Sequence, residues 1–321
     1  MKKMAQNIED VVADSASAGR VVPRRLPRIA SRKKTAIAGF VLMAPSLVFI
    51  GLFVMVPIVY VVYLSLYKSN LLTPHPKFVF LQNYVQLFSD VDFLGSLKNS
   101  ALLSGGMLFL SLPIGCLLAA LLNMRLKGTK FYRTVFFAPY VLPLVGSGLV
   151  FTLLLDKDNG LVNHVLALVG VPPINWLGSS HTALISVMLV SLWQYSGYYM
   201  LIFLAGLQNI PQSLVEACQV DGGGRLKSFI HVTLPNLTPT IFFCAVVCII
   251  QSFQAFDQVY VMTDGGPNNA SSTLTYYIFH KGFQMYDIGS SAAASVILLI
   301  LLSILSLIQI RLGRRWVVEE S

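Results

Sequence analysis

The sequence predicts an all-α integral membrane protein with six transmembrane helices, and three observations carry that prediction. Only 12% of the 321 residues are charged, where soluble domains carry about 25%. The hydrophobic share is 55% and the mean hydropathy +0.69, so a globule built from this chain would lack a water-compatible surface. The apolar residues also gather in six continuous runs, near 36–66, 97–122, 134–155, 183–205, 237–259 and 288–310. Each meets the roughly 20 residues that a helix needs to cross the hydrocarbon. None shows the two-residue alternation of a barrel strand, which leaves helices as the spanning structure.

Taken in order, residues 1–35 read as a basic cytoplasmic tail. Asp, Ser, Ala, Pro and Arg follow no period over 1–30, the pattern of a disordered segment, and its cations suit anionic lipid headgroups. Tail and apolar run together are too long for a cleaved signal peptide, so 36–66 is expected to be a retained first span. Pro45 and Pro57 imply that it is kinked, tilted or partly outside the membrane. Residues 67–96 form an external loop, 97–310 carry the other five spans, and 311–321 are a second cytoplasmic tail.

Orientation follows from the cations. Of the 23 lysines and arginines, all but Lys68, Lys77, Lys98, Lys157 and Lys281 fall in the two tails and in the connections after spans two and four. The positive-inside rule therefore places both termini in the cytoplasm. It also accounts for the net charge of +9 without nucleic acid as a partner.

Several chemistries are excluded. Cys116, Cys244 and Cys248 lie within spans and Cys218 faces the cytosol, so no disulfide framework is implied. Cys244 and Cys248 share a helix face, but two thiols do not make a metal site. "GGGRLKS" has the wrong spacing for a phosphate loop, and neither HExxH nor a nucleophile elbow occurs. The five histidines are scattered, and no loop is long enough for a catalytic domain. An intramembrane enzyme would need paired ionisable groups in the spans, which hold a single acid, Asp257, near the outer end of the fifth. That also disfavours a proton-coupled carrier, although sodium coupling through carbonyls escapes the objection.

The polar stretch between spans four and five, "EACQVDGGGRL" at 216–226, stands out in so apolar a chain. Pro211 and Ser213 predict a helix starting near Gln212. Leu214, Val215 and Cys218 recur on one face, and Glu216 and Gln219 on another. Asp221 and the glycines 222–224 then break it, and a second short helix is expected from Arg225 to about Val232. The residues alone leave two readings open, a plain re-entry turn and a docking surface for a partner with a groove.

"EACQVDGGGRLKSFIHVTLP" resembles the EAA loop of binding-protein-dependent ABC importer permeases. Glu216, Ala217, Asp221, Gly222, Leu234 and Pro235 match the pattern. Cys218 stands in place of the second alanine, and Gly223 where alanine is more usual. "NYVQLFSDVDFLGSLKNS", "FYRTVFFAPYVLP", "AGLQNIP" and "VMTDGGPNNASSTLTYYIF" are similar to the sugar-type permeases of the maltose and glycerol-phosphate group. The resemblance implies a type I ABC importer permease in a bacterial or archaeal cytoplasmic membrane, with the loop as a coupling helix seated in a separate ATPase. It further implies a second, similar permease subunit, an ATPase dimer holding ATP and Mg, and an external or periplasmic solute-binding protein. The chain itself would need no cofactor and catalyse no covalent reaction.

Two polar stripes are candidates for the solute path. On span four, Ser191, Gln194, Tyr195 and Tyr198 share a helix face, and on span five Cys248, Gln251, Ser252 and Ala255 repeat the spacing. Tyrosine faces and amide or hydroxyl groups suit a sugar, and the resemblance places sugar contacts on the same two spans. The stripes equally fit interhelical hydrogen bonding. Neither holds Lys or Arg, which disfavours an anionic solute but leaves glycerol-phosphate esters open. The external segment 261–287 fits either a contact for the binding protein or a plain turn. The rival to the importer reading is a self-contained carrier or channel in which 216–226 is only a loop.

Overall fold

The structure, a computed structural model, describes residues 32–70, 76–124 and 127–316, with side chains over 39–70, 76–124 and 127–313. The predicted tail over 1–31, Arg125 and residues 317–321 lie outside the described residues. The chain divides into two compact units, Met1–Ile58 and Val59–Ser321.

Helix α1 spans Arg32–Ile50 and passes through a π-helical turn at Gly51–Met55 into α2, Val56–Ser65, within which the first unit ends. Helix therefore starts at Arg32, ahead of the expected 36. Three of the four π-turns among the described residues, Gly51–Met55, Met107–Ser111 and Phe229–Thr233, end two residues before a proline. A helical proline offers no N–H, and its ring crowds the carbonyl four residues back. Those carbonyls, of Phe53, Phe109 and His231, lie inside the widened turns, where i→i+5 bonding relieves the conflict.

After α2 the second unit holds a short antiparallel pair, β1 Tyr67–Lys68 and β2 Lys77–Phe78, and helix α3, Gln82–Ser89. Helix α4, Val91–Gly106, continues through a π-turn into α5, Leu112–Asn123, as one apolar span of 33 residues. Then come α6 Thr129–Val141, α7 Leu144–Leu154, α8 Leu161–Leu168 and the long α9, Ala183–Asn209. Between α9 and the next span lie α10, Gln212–Val220, and a second helical run made of α11 Arg225–Ser228, a π-turn and α12 Leu234–Asn236. Helices α13 Thr238–Phe253, α14 Asp257–Met262, α15 Leu274–Phe279 and α16 Ile288–Trp316 complete the chain.

Among the described residues four single helices are long and apolar enough to cross a bilayer, and there are six spans if each of two bent pairs counts as one. The bends differ from the continuous runs read in the sequence. Span three turns by 95° between α6 and α7, because Leu142 precedes Pro143 and is held extended at ψ 141°. Span five turns by 64° where the run ending at Asn236 meets α13, and it is interrupted again at 254–256. The second break frees the carbonyls of Phe253 and Ala255, which the Thr275 and Thr273 hydroxyls satisfy at 3.0 and 2.7 Å. Such capping is what allows irregular backbone at membrane depth. The second short helix in the 216–226 region does not stop near Val232 but runs on through Leu234 and Pro235.

The main core joins span two to span four and the start of span five through Leu103, Met107, Ala119, Tyr199, Met200, Phe203, Cys244 and Cys248, all buried. Close approach depends on Gly197, where a Cβ would collide with the Phe136 carbonyl oxygen. At the N-terminal end of span two, Asp90 caps α4 by accepting from the Asp92 and Phe93 amides at 2.9 and 3.4 Å. The same carboxylate accepts from Tyr277 at 2.8 Å and pairs with Lys281 at 3.2 Å, so one side chain ties α4 to α15. Burial alone would push the Asp90 carboxyl up. The bonds from Tyr277, Lys281 and the Asp92 amide, with the Lys281 charge, outweigh it and hold the group below its ordinary value.

Candidate functional site

Two features of the second unit bring the predicted site residues together. The first is the elbow between spans four and five. Helix α10 starts after Pro211 and ends where Gly222 adopts a left-handed φ of +79°. The turn closes with Asp221 donating to Ala217 O at 3.1 Å, Gly222 to Gln219 O at 3.1 Å and Gly223 to Cys218 O at 2.9 Å, which satisfies carbonyls that a helix end leaves open. A side chain at Gly223 would strike the Cys218 carbonyl and thiol.

Glu216 is exposed and accepts from Gln212 Nε2 at 2.7 Å, while Ala217 and Asp221 are also exposed beside it. Of the predicted apolar face, Val215 and Cys218 are half-buried and Leu214 is exposed. Leu234 and Pro235 sit at the far end of the second helical run. The sequence reading passed over Val220 and Leu226, which are 87% and 73% exposed. The elbow thus offers apolar side chains and one carboxylate-bearing helix to a partner surface.

The second feature is a polar cleft between α4, α9 and the α13–α14 break, lined by Leu103, Met107, Ser191, Tyr195, Tyr199, Gln251, Ser252, Ala255 and Gln258. It brings together Ser191 and Tyr195 from one predicted stripe with Gln251, Ser252 and Ala255 from the other. Leu103, Met107, Tyr199 and Gln258 were not anticipated. Its volume is about 10 Å³, room for about one water and far too little for a sugar ring. The conformation is closed at this point. Gln251 accepts from the Tyr199 hydroxyl at 3.0 Å, while Ser191 and Ser252 bond back to the Val187 and Cys248 carbonyls at 2.9 and 2.7 Å.

Gln194, Tyr198 and Cys248 do not line the cleft. Cys248 is fully buried in the core, and Tyr198 stacks on Tyr140 with ring centroids 4.5 Å apart. Gln194, fully buried, faces the bend in span three. It donates to Leu142 O at 3.1 Å and accepts from Ser147 at 2.8 Å and Gln258 Nε2 at 3.3 Å. The Leu142 carbonyl is one that the 95° bend leaves outside any helix, so Gln194 acts as a strut holding the broken span to spans four and five.

Comparison with known proteins decides what kind of chain carries these features. Residues 111–318 match the family described as binding-protein-dependent transport system inner membrane component. This chain belongs to that family. The permease is 34% identical over 279 residues to the probable ABC transporter permease protein YurN of Bacillus subtilis, covering 86% of this chain and 95% of that one. It is 35% identical over 277 residues to the sn-glycerol-3-phosphate transport system permease protein UgpA of Yersinia pestis bv. Antiqua, covering 86% and 94%. With the trehalose/maltose transport system permease protein MalF of Thermococcus litoralis it shares 30% over 281 residues, 88% and 95% of the two chains. In fold, the permease is similar to a chain of a bacterial alginate ABC transporter solved with an alginate pentasaccharide-bound periplasmic protein. The TM-score is 0.79 at 21% identity, over 90% of this chain and 98% of that one. The chain is therefore a transmembrane permease subunit with the type I importer fold, and its membrane is the inner membrane. The matched stretch contains the elbow and both α9 and α13–α14.

Proposed function

We propose that this permease pairs with a second, similar subunit and translocates a sugar or sugar-like solute handed over by an external solute-binding protein. A separate ATPase dimer, which holds ATP and Mg²⁺, docks on the elbow in the cytoplasm. Glu216, Ala217, Asp221, Gly222 and Gly223 form the docking turn, with Leu234 and Pro235 at its base. Both termini face the cytoplasm of a bacterial or archaeal cell. The solute passes between α9 and α13–α14, where Ser191, Tyr195, Gln251, Ser252 and Ala255 meet. Gln194, Tyr198 and Cys248 support that path from behind.

The observation that carries this reading is a family match that takes in the elbow and both α9 and α13–α14 in one stretch, 111–318. Force applied at the elbow reaches both sides of the cleft through helices continuous with it. Affinity purification in mild detergent, with identification of the polypeptides that accompany the chain, tests it. A second permease and a P-loop ATPase are expected, with the ATPase lost when 216–224 is replaced. A chain that purifies alone and still moves solute in liposomes would replace the importer by a self-contained carrier.

A further inference from the structure

Asp257 is the acid that the sequence sets inside a span. It opens α14, directly after the 254–256 break, between two residues of the cleft, Ala255 and Gln258. Helix α14 packs against α9, the helix that carries Tyr195. The side chain is half-buried, and among the described residues it makes no ion pair or hydrogen bond. Asp90, by contrast, has Lys281, Tyr277 and two amides. The lining of the cleft includes no lysine, arginine or histidine, and Asp257 borders it from between Ala255 and Gln258 without lining it.

A half-buried carboxylate with no bonded partner, bordering a cleft near the end of a span, is placed to meet a ligand there. What it accepts there is a hydroxyl, through the shorter, stronger hydrogen bond of an ionised acceptor. What it rejects is a second negative charge, since like charges a few ångströms apart in a poorly solvated site repel strongly. The neighbouring Tyr140 ring, 5.9 Å from Tyr195 and 4.5 Å from Tyr198 between centroids, adds aromatic surface of the kind that packs on sugar C–H faces. We propose that Asp257 is the charge-selecting residue of the solute path. The cargo is then an uncharged, hydroxyl-rich solute, and phosphate esters and uronate oligosaccharides are excluded. This rests on the cleft being part of the path.

The test needs no knowledge of the cargo. Ala255→Cys serves as a reporter in the assembled transporter, in a chain with Cys116→Ser and Cys218→Ser and with the buried Cys244 and Cys248 retained. Its rates of modification by a cationic and an anionic methanethiosulfonate of similar size are compared. With Asp257 present the cationic reagent is favoured, and Asp257→Asn should lower the cationic-to-anionic rate ratio about tenfold. Asp257→Glu, which keeps the charge, should restore it and so separate charge from misfolding. A ratio indifferent to Asp257→Asn overturns this inference and leaves the path reading standing. Protection of Ala255→Cys from both reagents throughout turnover overturns the path reading and the inference with it. Uptake of radiolabelled sn-glycerol-3-phosphate through the wild-type chain would also overturn it, and none is expected.

Discussion

Replacing Gln194 by alanine should destabilise the permease rather than tune its affinity for solute, although the sequence pattern set Gln194 on the same stripe as Tyr195. The substitution deletes three hydrogen bonds, to Leu142 O, Ser147 and Gln258. Interhelical bonds in membranes are worth about 0.6 kcal/mol on average, so three give about 2 kcal/mol. A second route counts what is left behind. Ser147 keeps its bond to Leu144 O at 2.9 Å, but the Leu142 carbonyl and the Gln258 amide lose these partners. Orphaned buried groups cost about 1–3 kcal/mol each, for a total of about 2–6 kcal/mol. Both routes place the loss at about 2 kcal/mol or more. Gln251→Ala removes one bond, to Tyr199 at 3.0 Å, and by the same scale loses about 0.6 kcal/mol. Denaturant unfolding of the detergent-purified complex, measured side by side for both variants, should show about two to three times as much stability lost for Gln194→Ala. Gln194→Glu isolates the bend, because a carboxylate still accepts from Ser147 and Gln258 but cannot donate to Leu142 O. Equal losses for the two alanine variants, or wild-type stability with an altered uptake KM in Gln194→Ala, would refute the strut.

Other outcomes are expected elsewhere in the chain. Asp90 has a folded-state pKa below its ordinary value, so its contribution is complete above the usual carboxylate range and is lost as pH falls through the lowered one. Thermal stability measured against pH should therefore drop on the acid side, and Asp90→Asn should flatten that drop while lowering stability at neutral pH. At the elbow, Gly222→Ala forces a side chain into φ +79°, a strain of about 1 kcal/mol. Together with Glu216→Ala it should leave ATP hydrolysis running while solute uptake falls, read by assaying both in one proteoliposome preparation. Gly197→Ala should prevent α9 from packing on α6, because the new Cβ meets the Phe136 carbonyl. Loss of the monodisperse peak in detergent chromatography is the readout, and a normal peak would contradict the close packing.

The positions of the helices were legible because hydropathy reports directly which segments prefer lipid. Their direction was not, since a run of apolar residues looks the same whether its backbone is straight or turned through 95°. Pro143 was a signal that went unused at the first bend. The break at 254–256 has neither glycine nor proline, and what makes it tolerable, Thr273 and Thr275, lies about twenty residues downstream. No local rule finds it. The elbow was readable because three consecutive glycines leave a short helix few alternatives, and Gly222 does adopt the left-handed turn. Helical period grouped Ser191, Gln194 and Tyr195 on one face but could not say what each would meet. A face about 100° wide borders two neighbours, and Gln194 turned to the bend while Ser191 and Tyr195 turned to the cleft. Tyr199, Leu103 and Met107 line the cleft from positions that read as ordinary core.

A cleft of about 10 Å³ sets a condition on any transport mechanism built on this fold. If the proposed path runs through the cleft, α9 and α13–α14 have to separate before a sugar-sized solute passes; the contacts at the cleft are a Tyr199–Gln251 bond and side chains whose hydroxyls bond within their own helices. Behind the cleft the contacts are of another kind, with buried glutamines, a close glycine crossing and the capped break. That contrast lets one side open while the other holds. The elbow connects to both helices that border the cleft, to α9 through Ile210–Pro211 and to α13 through Leu237. A partner that grips it can therefore displace the two together or apart. If the closed state is one of two stable arrangements, substitutions that weaken the front contact without touching the strut should favour opening. Tyr199→Phe, which deletes only the hydroxyl bonded to Gln251, is the mildest of these. It should raise the rate at which the Ala255→Cys reporter is modified without changing the denaturant midpoint by more than about 0.6 kcal/mol. A slower rate would place the gate somewhere other than this cleft.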